Sequence, residues 1–172
     1  DFAAGSVVLA TGGLSIPKMG ATGFAHDVAR RFGLKVTQTR PALVPLTLAT
    51  PGISGVSFDV EARCGKAAFR EAMLFTHRGL SGPAILQVSS YWKAGQEIVI
   101  DMLPGLEASQ FLKERKRSRP KAQLHTVLAE KLPQRLAQAL APDIGADGTM
   151  ANLRDRDLDA LARRLQRWTI VP

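Results

Sequence analysis

The chain has 172 residues, of which 45% are hydrophobic, and carries a formal net charge of +8 from 23 Lys and Arg against 15 Asp and Glu. This composition is globular, with enough apolar residues for one good core or two small ones, and no apolar run approaches the roughly 18 to 20 residues that span a bilayer. The basic balance is typical either of a polyanion partner or of ordinary solubility charge. With the single Cys64 there is no internal disulfide, which predicts a reducing cytoplasm.

The first predicted element is a buried strand that runs into a glycine-punctuated loop. Residues 7–9 are aliphatic without polar alternation, as in a central strand of an α/β sheet. Residues 24–33 show the i, i+4, i+8 apolar spacing of a helix, with Gly33 at the C′ position. The residues directly after the strand have small side chains or none. They lie at the strand's carboxyl end, which is where open α/β sheets bind ligands. The small residues there are Ala10, Thr11, Gly12 and Gly13.

This strand, loop and helix form only half of a nucleotide-binding crossover. A dinucleotide fingerprint requires G-x-G-x-x-G, and no two glycines of this sequence lie two positions apart. The principal phosphate-binding loop is therefore absent from the sequence. Residues 10–13 taken alone are equally compatible with an ordinary strand-to-turn junction.

Short strands are predicted next. Pro41 and Pro45 restrict residues 34–48 to an edge strand or a connector. Residues 56–64 alternate strictly between apolar and polar, so one face is buried, and Gly65 opens a turn into an antiparallel partner strand. Residues 98–102 form a further strand. Short strands at such intervals favour a small barrel or a curled antiparallel sheet.

The second half of the sequence has the apolar spacing of helices. Ser81 is predicted to cap a short helix that has Pro83 in its first turn. Four longer segments then carry apolar residues every three to four positions, with 143–152 as a connecting loop. These segments are 107–117, 122–132, 133–141 and 158–168. The predicted fold class is α+β, with a partial Rossmann-type strand-loop-helix, then a small antiparallel β-barrel or curled sheet, and a helical subdomain.

The sequence THRGLSGP at 76–83 is a candidate catalytic site. His77 is a candidate proton donor because histidine is the usual acid and base of proteins, and Gly79, Gly82 and the amides of the helix start expected at Ser81 are suited to an anion or a carbonyl oxygen. A proton donor beside an oxyanion site is one interpretation, and a turn stabilised by capping is the other. Ser81 lacks the G-x-S-x-G spacing of a nucleophile elbow. The isolated histidines and single cysteine indicate no metal site.

A run of basic residues at 113–121, KERKRSRPK, is a candidate nucleic-acid-binding segment. It contains six cations against one acid and predicts salt-dependent, sequence-independent contacts to phosphates. The alternative is a solvated basic loop. No aromatic residue alternates with the run, so it does not form a stacking platform for single strands. Its cations are Lys113, Arg115, Lys116, Arg117, Arg119 and Lys121.

Several longer segments together resemble the bacterial FAD-dependent flavoproteins of the YhiN/BaiN type, which include aminoacetone-oxidase-like enzymes. They are ATGGLSIPKMGATG at 10–23, RPALVPL at 40–46, LFTHRGLSGPAIL at 74–86, and LP at 103–104 and 132–133. The resemblance runs nearly end to end. The family loop has Tyr, Thr, Asp, Gly and Tyr where this sequence has Ile16, Met19, Phe24, Ala25 and His26.

The resemblance implies an internal piece of a larger enzyme, since the family's two glycine-rich FAD segments fall outside this sequence. Residues 1–40 would be a remnant of the Rossmann-like FAD domain, 41–105 the barrel-like part of an insert, and 106–172 its helical subdomain. FAD in the intact protein would contact residues 10–13, whereas the piece alone would be inactive and bind little FAD. Its partner would be the rest of its own FAD domain, with no membrane involved.

The resemblance also implies a function. Family members are associated with reduction of conjugated enones in steroid-like molecules, with amine oxidation, and with reduction of a ribosomal RNA uridine. The chain would be the substrate-facing insert of an oxidoreductase that transfers hydride from flavin to a carbonyl-conjugated double bond, with His77 as a proton donor. Two alternatives stay open, an RNA-docking module that uses the basic helices and a structural oligomerisation insert.

Overall fold

A computed structural model of the protein describes residues 3–49, 52–142 and 149–172. The chain divides into two compact units, residues 1–41 and 42–172. No helix in the described part of the chain is both long enough and apolar enough to cross a membrane.

The first unit contains the helix that the sequence predicts. Helix α1 spans Phe24–Arg31 and follows a short 3-10 turn at Pro17–Met19. The chain leaves α1 through Gly33, whose φ of +76° is the left-handed conformation that favours glycine at C′. The helix and its glycine terminus are confirmed.

The strand predicted at residues 7–9 is wrong for this chain. These residues have no strand geometry, and the side chains of Val7 and Val8 are 79% and 88% exposed. A central parallel strand needs hydrogen-bonding neighbours and a cover on both faces. Within the first unit the described residues include no strand and no buried side chain. The aliphatic run therefore lacks the surroundings that would make it a strand.

The second unit is built on a six-stranded antiparallel sheet with the order β1-β4-β3-β2-β5-β6. The sheet curls into a half-barrel, as the spacing of short strands predicts. Its strands are β1 (Leu46–Thr47), β2 (Ser57–Cys64), β3 (Ala67–Thr76), β4 (Gly79–Ser81), β5 (Ile98–Asp101) and β6 (Trp168–Ile170).

The hairpin of β2 and β3 forms the centre of this sheet. Its two-residue loop begins at Gly65, whose φ of +58° is what a type II′ turn requires at its first central position. The predicted alternation is confirmed, since Val60, Ala62 and Cys64 are buried while Asp59 and its polar neighbours face outward. Burial also raises the pKa of the Cys64 thiol, as expected of a packed small side chain.

Helix α2, Pro83–Ser89, packs against β2 and β3 with Ala84, Ile85 and Val88 buried. The predicted cap at Ser81 is wrong. Ser81 is the last residue of β4 and pairs with Leu74, so it is extended rather than at the helix boundary. Ser81 does not cap the helix because its backbone is paired with β3. The N-cap residue is Gly82, which has no side chain to form a capping hydrogen bond.

The remaining helices pack together beside the sheet. The helices at Ala108–Ser118 and Asp155–Gln166 face each other, and Leu112 of the first and Leu158 and Leu161 of the second are among the buried residues. Met150–Asn152 form a 3-10 turn, whereas residues 143–148 of the predicted connecting loop lie outside the described residues. The helices are α3 (Ala108–Ser118), α4 (Leu124–Leu128), α5 (Gln134–Leu140) and α6 (Asp155–Gln166).

The C-terminal segment returns to the sheet, which the sequence analysis did not predict. Trp168 was expected to end the last helix, but α6 ends at Gln166 and Trp168 begins β6, which pairs with β5. The Trp168 ring lies 6.0 Å from that of Phe75, and Met102 N donates to Leu165 O at 2.9 Å. Sheet and helices therefore share one unit. The division at residue 105 stays a prediction.

Candidate functional site

Residues 10–13 form an open surface in the first unit. All four are exposed, Gly12 has a φ of +73°, and a Cβ built on Gly12 or Gly13 would meet nothing within 4 Å. A flat ligand can approach this backbone closely. The described residues of the first unit do not enclose it, however, so these four residues by themselves do not make an FAD site. Their contact with flavin stays a prediction.

His77 lies at the tip of the turn between β3 and β4 and is exposed. The turn is stabilised by Thr76, whose Oγ1 donates to Gly79 O at 3.1 Å and accepts from Arg78 N at 3.2 Å. The His77 imidazole is therefore held on a hydrogen-bonded turn and is accessible to a ligand. Its role as a proton donor stays a prediction.

The two glycines of the same segment are needed for strand packing. A Cβ on Gly79 would lie 2.1 Å from Leu46 O, and one on Gly82 would lie 2.7 Å from Ala72 O. Both have positive φ, +146° and +90°. Close approach of neighbouring backbones explains both residues without a ligand. This supports the interpretation of residues 76–83 as a structural turn, and the oxyanion site stays a prediction.

The basic run lies mostly on α3 and takes part in ion pairs with α6. Lys113 Nζ lies 2.7 Å from Asp159 Oδ1, and Lys116 Nζ lies 2.6 Å from Asp155 Oδ1. Ser109 also donates to Asp159. These contacts join two helices whose apolar faces already pack together, so Lys113 and Lys116 have a structural role.

Two further cations of the run converge on Glu130, just beyond α4. Arg115 Nε lies 2.7 Å from Glu130 Oε2, and Arg119 pairs with the other carboxylate oxygen. The Arg115 guanidinium carbon also lies 5.1 Å from the centre of the Phe111 ring. In the part of the chain that the structure describes, Arg117 and Lys121 are the cations of the run that form no salt bridge.

The ion pairs lower the pKa values of their carboxyl groups. A hydrogen bond from Lys113, and next one from Ser109, lowers the pKa of Asp159. Lys116 lowers that of Asp155 in the same way, and Arg115 that of Glu130. All three carboxylates are therefore ionised at neutral pH, where they offset much of the charge of the run. Sequence analysis missed these partners because they lie far along the chain from the cations they bind.

A groove with aromatic and basic walls lies at the end of the β2–β3 hairpin, and we call it the aromatic groove. It has a volume of about 480 Å³. Sequence analysis missed it because the hairpin and the turn after α2 are brought together only by the fold. Its lining residues are Cys64, Gly65, Lys66, Ala67, Ala68, Phe69, Tyr91, Lys93 and Gln96.

Comparison with known families adds to this geometry. Residues 40–172 match the family model described as HI0933-like protein barrel and H2TH domain. The chain belongs to the HI0933-like family. The curled sheet, followed by the helices that pack beside it, accounts for the matched region of this HI0933-like flavoprotein domain.

Curated relatives of the HI0933-like chain are enzymes. It is 41% identical over 179 residues to the ribosomal RNA dihydrouridine synthase of Escherichia coli (strain K12), covering 96% of this chain and 44% of that protein. It is 37% identical to the protein of the same name from Haemophilus influenzae (strain ATCC 51907 / DSM 11121 / KW20 / Rd), covering 97% and 43%. The chain thus spans less than half the length of these relatives.

A more distant relative is named as a reductase. The chain is 32% identical over 126 residues to the 3-dehydro-bile acid delta(4,6)-reductase of Clostridium scindens (strain ATCC 35704 / DSM 5676 / VPI 13733 / 19), covering 65% of this chain and 31% of that protein. The names of the relatives therefore include both an RNA-modifying enzyme and a small-molecule reductase. An oxidoreductase relationship is common to the family resemblance and to these names.

Proposed function

We propose that this HI0933-like chain is the substrate-facing insert of a YhiN/BaiN-type, FAD-dependent oxidoreductase, and that its substrate is a uridine in ribosomal RNA. The observation that carries this proposal is the likeness over 96% and 97% of the chain to two proteins named ribosomal RNA dihydrouridine synthase. The activity would belong to the intact protein, with this chain inactive alone. We propose a cytoplasmic location as well, since ribosomal RNA lies in the cytoplasm of bacteria.

Reduction of a carbonyl-conjugated double bond is a reaction that the named relatives would share. The double bond between C5 and C6 of uracil is conjugated to the C4 carbonyl, just as the double bond of an enone is conjugated to its carbonyl. Reduction adds a hydride to C6 and a proton to C5, so the reaction requires a two-electron donor. When bound in its reduced form, FAD would supply the hydride, while residues of the protein bind and orient the substrate and deliver the proton.

Residues 10–13 could supply only part of a binding site for FAD. Their lack of bulk permits a flat ring to approach the backbone, but no described side chain of the first unit encloses a ligand there. The remaining contacts to FAD would come from the protein's own glycine-rich segments outside this chain. Low FAD affinity of the isolated chain follows from this.

The basic charge supports the RNA side of the proposal. The net charge of +8 attracts a polyanion over distances of a Debye length, which is about 8 Å at physiological salt. Ion pairs occupy four cations of the basic run, so Arg117 and Lys121 are the ones best placed to contact phosphates. The run therefore contributes less to RNA binding than its composition indicates.

His77 is our candidate for the proton delivered to the reduced base. It is exposed on a hydrogen-bonded turn, and histidine is the side chain whose ordinary pKa lies closest to neutrality. The support from the structure is that the His77 side chain is accessible to a substrate.

The proposal is tested with the full-length protein, FAD, a nicotinamide donor and unmodified ribosomal RNA, followed by mass spectrometry of the digested nucleosides. We expect dihydrouridine to form. A steroid-like enone is offered to the same enzyme in parallel. Reduction of the enone with no dihydrouridine in the RNA would contradict the proposal and favour the small-molecule reductase function of the more distant relative.

A further inference from the structure

We propose that the aromatic groove binds an unpaired nucleotide of the RNA substrate, whose base stacks on Tyr91 and whose phosphates contact Lys66 and Lys93. This inference rests on the proposed function, which supplies RNA as the partner. It assigns the docking of a single-stranded base to a site outside the basic run and outside residues 76–83.

Tyr91 supplies an open stacking surface. Its ring lies 5.5 Å from the ring of Phe69, centre to centre, with a 40° tilt between their planes. Phe69 is half-buried in β3 and contacts Tyr91, which is 57% exposed. A single exposed aromatic is ordinary on a protein surface. An exposed aromatic ring that packs on a second, half-buried ring offers a face on which a base can stack.

The groove is held in shape by hydrogen bonds before any ligand arrives. Lys93 N donates to Gln96 Oε1 at 2.9 Å, and Trp92 Nε1 donates to Gln96 O at 2.8 Å. Tyr91 N donates to Val88 O at 3.0 Å, which fixes the backbone of Tyr91 to the end of α2. The side chain of Gln96 is thereby fixed through its oxygen, and its amide nitrogen can donate to a carbonyl of the bound base. A preorganised site loses less entropy on binding.

The charge of the groove complements a nucleic acid. Its described lining residues include Lys66 and Lys93 and no carboxylate. Both lysines are exposed, so their ammonium groups can follow a phosphate backbone that passes the stacked base. A volume of about 480 Å³ lies within the range of sites for small ligands. Aromatic rings and cations in one groove are what proteins use to bind single-stranded nucleic acids, because every base has a π face and every nucleotide a phosphate.

The experiment uses the full-length protein and a fluorescein-labelled oligouridine of ten nucleotides, with binding followed by anisotropy at low and near-physiological salt. Tyr91→Ala is expected to weaken binding about 5- to 150-fold, the range that loss of base stacking gives. Tyr91→Phe keeps the ring and is expected to bind within about twofold of the wild type. A fully paired RNA duplex serves as a control, and Tyr91→Ala should leave its binding unchanged because paired bases do not expose their faces.

A second variant tests the phosphate contacts without touching the ring. Lys66→Glu with Lys93→Glu is expected to weaken oligouridine binding and to reduce the slope of log K against log salt by roughly 1.4, since each contact to a single strand contributes about 0.7. Circular dichroism compares folding across all variants. An acidic peptide of equal charge should not compete with oligouridine. Equal competition by that peptide would overturn the groove as a base-binding site.

The outcomes separate this inference from the function on which it rests. If the wild type binds oligouridine and forms dihydrouridine, while both the Tyr91→Ala and the double-lysine variants bind as tightly as the wild type, the groove assignment is wrong and the proposed function stands. If the wild type neither binds RNA nor forms dihydrouridine, the proposed function fails and the groove assignment fails with it.

Discussion

Gly79 shows how much a single residue without a side chain can contribute to this fold. A Cβ there would lie 2.1 Å from Leu46 O, and the backbone has a φ of +146°. We expect Gly79→Ala to destabilise the protein by about 2 to 4 kcal/mol, because backbones must separate and the new residue is strained. The measurement is the urea unfolding midpoint.

Gly95 offers a matched control for that substitution. It also has a positive φ, +85°, but a Cβ on it would meet nothing within 4 Å. Gly95→Ala is therefore expected to cost only about 1 kcal/mol, the strain of the left-handed conformation. Equal stability of the two variants would show that β1 and β4 do not pack as closely as described.

His77 is the residue on which the proposed proton transfer depends. In the full-length enzyme we expect His77→Ala to slow dihydrouridine formation by about 10²- to 10⁴-fold, the usual contribution of a general acid. RNA affinity and melting temperature should not change, because His77 is exposed at the tip of a turn. Unchanged turnover would remove His77 from the mechanism and leave residues 76–83 as a structural turn.

Ion pairs between lysines of α3 and aspartates of α6 join these two helices. Asp155 and Asp159 have pKa values below the ordinary value of about 3.9 because of their lysine partners. A carboxyl group with a lowered pKa in the fold contributes stability that is fully present above its ordinary pKa and is lost as pH falls through the lowered one. We therefore expect the melting temperature to fall as the pH is lowered below about 4.

Neutral variants at the same positions provide the comparison for this pH dependence. Asp155→Asn with Asp159→Asn should lower the melting temperature at pH 7 and flatten its decline in acid, since the contribution that titrates has been removed. An acid decline as steep as that of the wild type would show that other carboxyl groups cause it. Glu130, whose pKa Arg115 lowers, is the first of those to examine.

The two kinds of cation in the basic run should respond differently to charge reversal. Arg117→Glu with Lys121→Glu is expected to weaken RNA binding and reduce its salt dependence with little effect on stability, since neither cation forms a salt bridge among the described residues. Lys113→Glu with Lys116→Glu should instead lower the melting temperature, because both lysines pair with α6. Binding titrations and melting curves measure the two effects. Equal effects of both pairs on RNA binding would contradict this division.

Sequence patterns predict the elements whose stability is local. The alternation at residues 56–64 and the glycine at residue 65 specify the central hairpin, because side-chain period and turn type act within a few residues. The ends of elements depend on more distant partners. Ser81 is extended because Leu74 pairs with it, and Trp168 is in a strand because β5 offers an edge.

For the whole molecule, the functional surface is less predictable than the fold. The basic run was visible in the sequence, but its neutralising acids, such as Glu130 and Asp159, are neighbours only in space. The aromatic groove likewise combines Phe69 with Tyr91 from a different element. Conversely, the aliphatic run at residues 7–9 looks like a strand and is not one here, because a parallel strand is stable only among neighbouring strands.

The central claim is that the intact protein reduces a uridine of ribosomal RNA. The most direct measurement is the dihydrouridine content of ribosomal RNA from cells of the source organism with and without the gene, by nucleoside mass spectrometry. We predict that deletion removes a dihydrouridine and that the wild-type gene restores it. Identical dihydrouridine content in the two strains would contradict the claim and favour a small-molecule substrate.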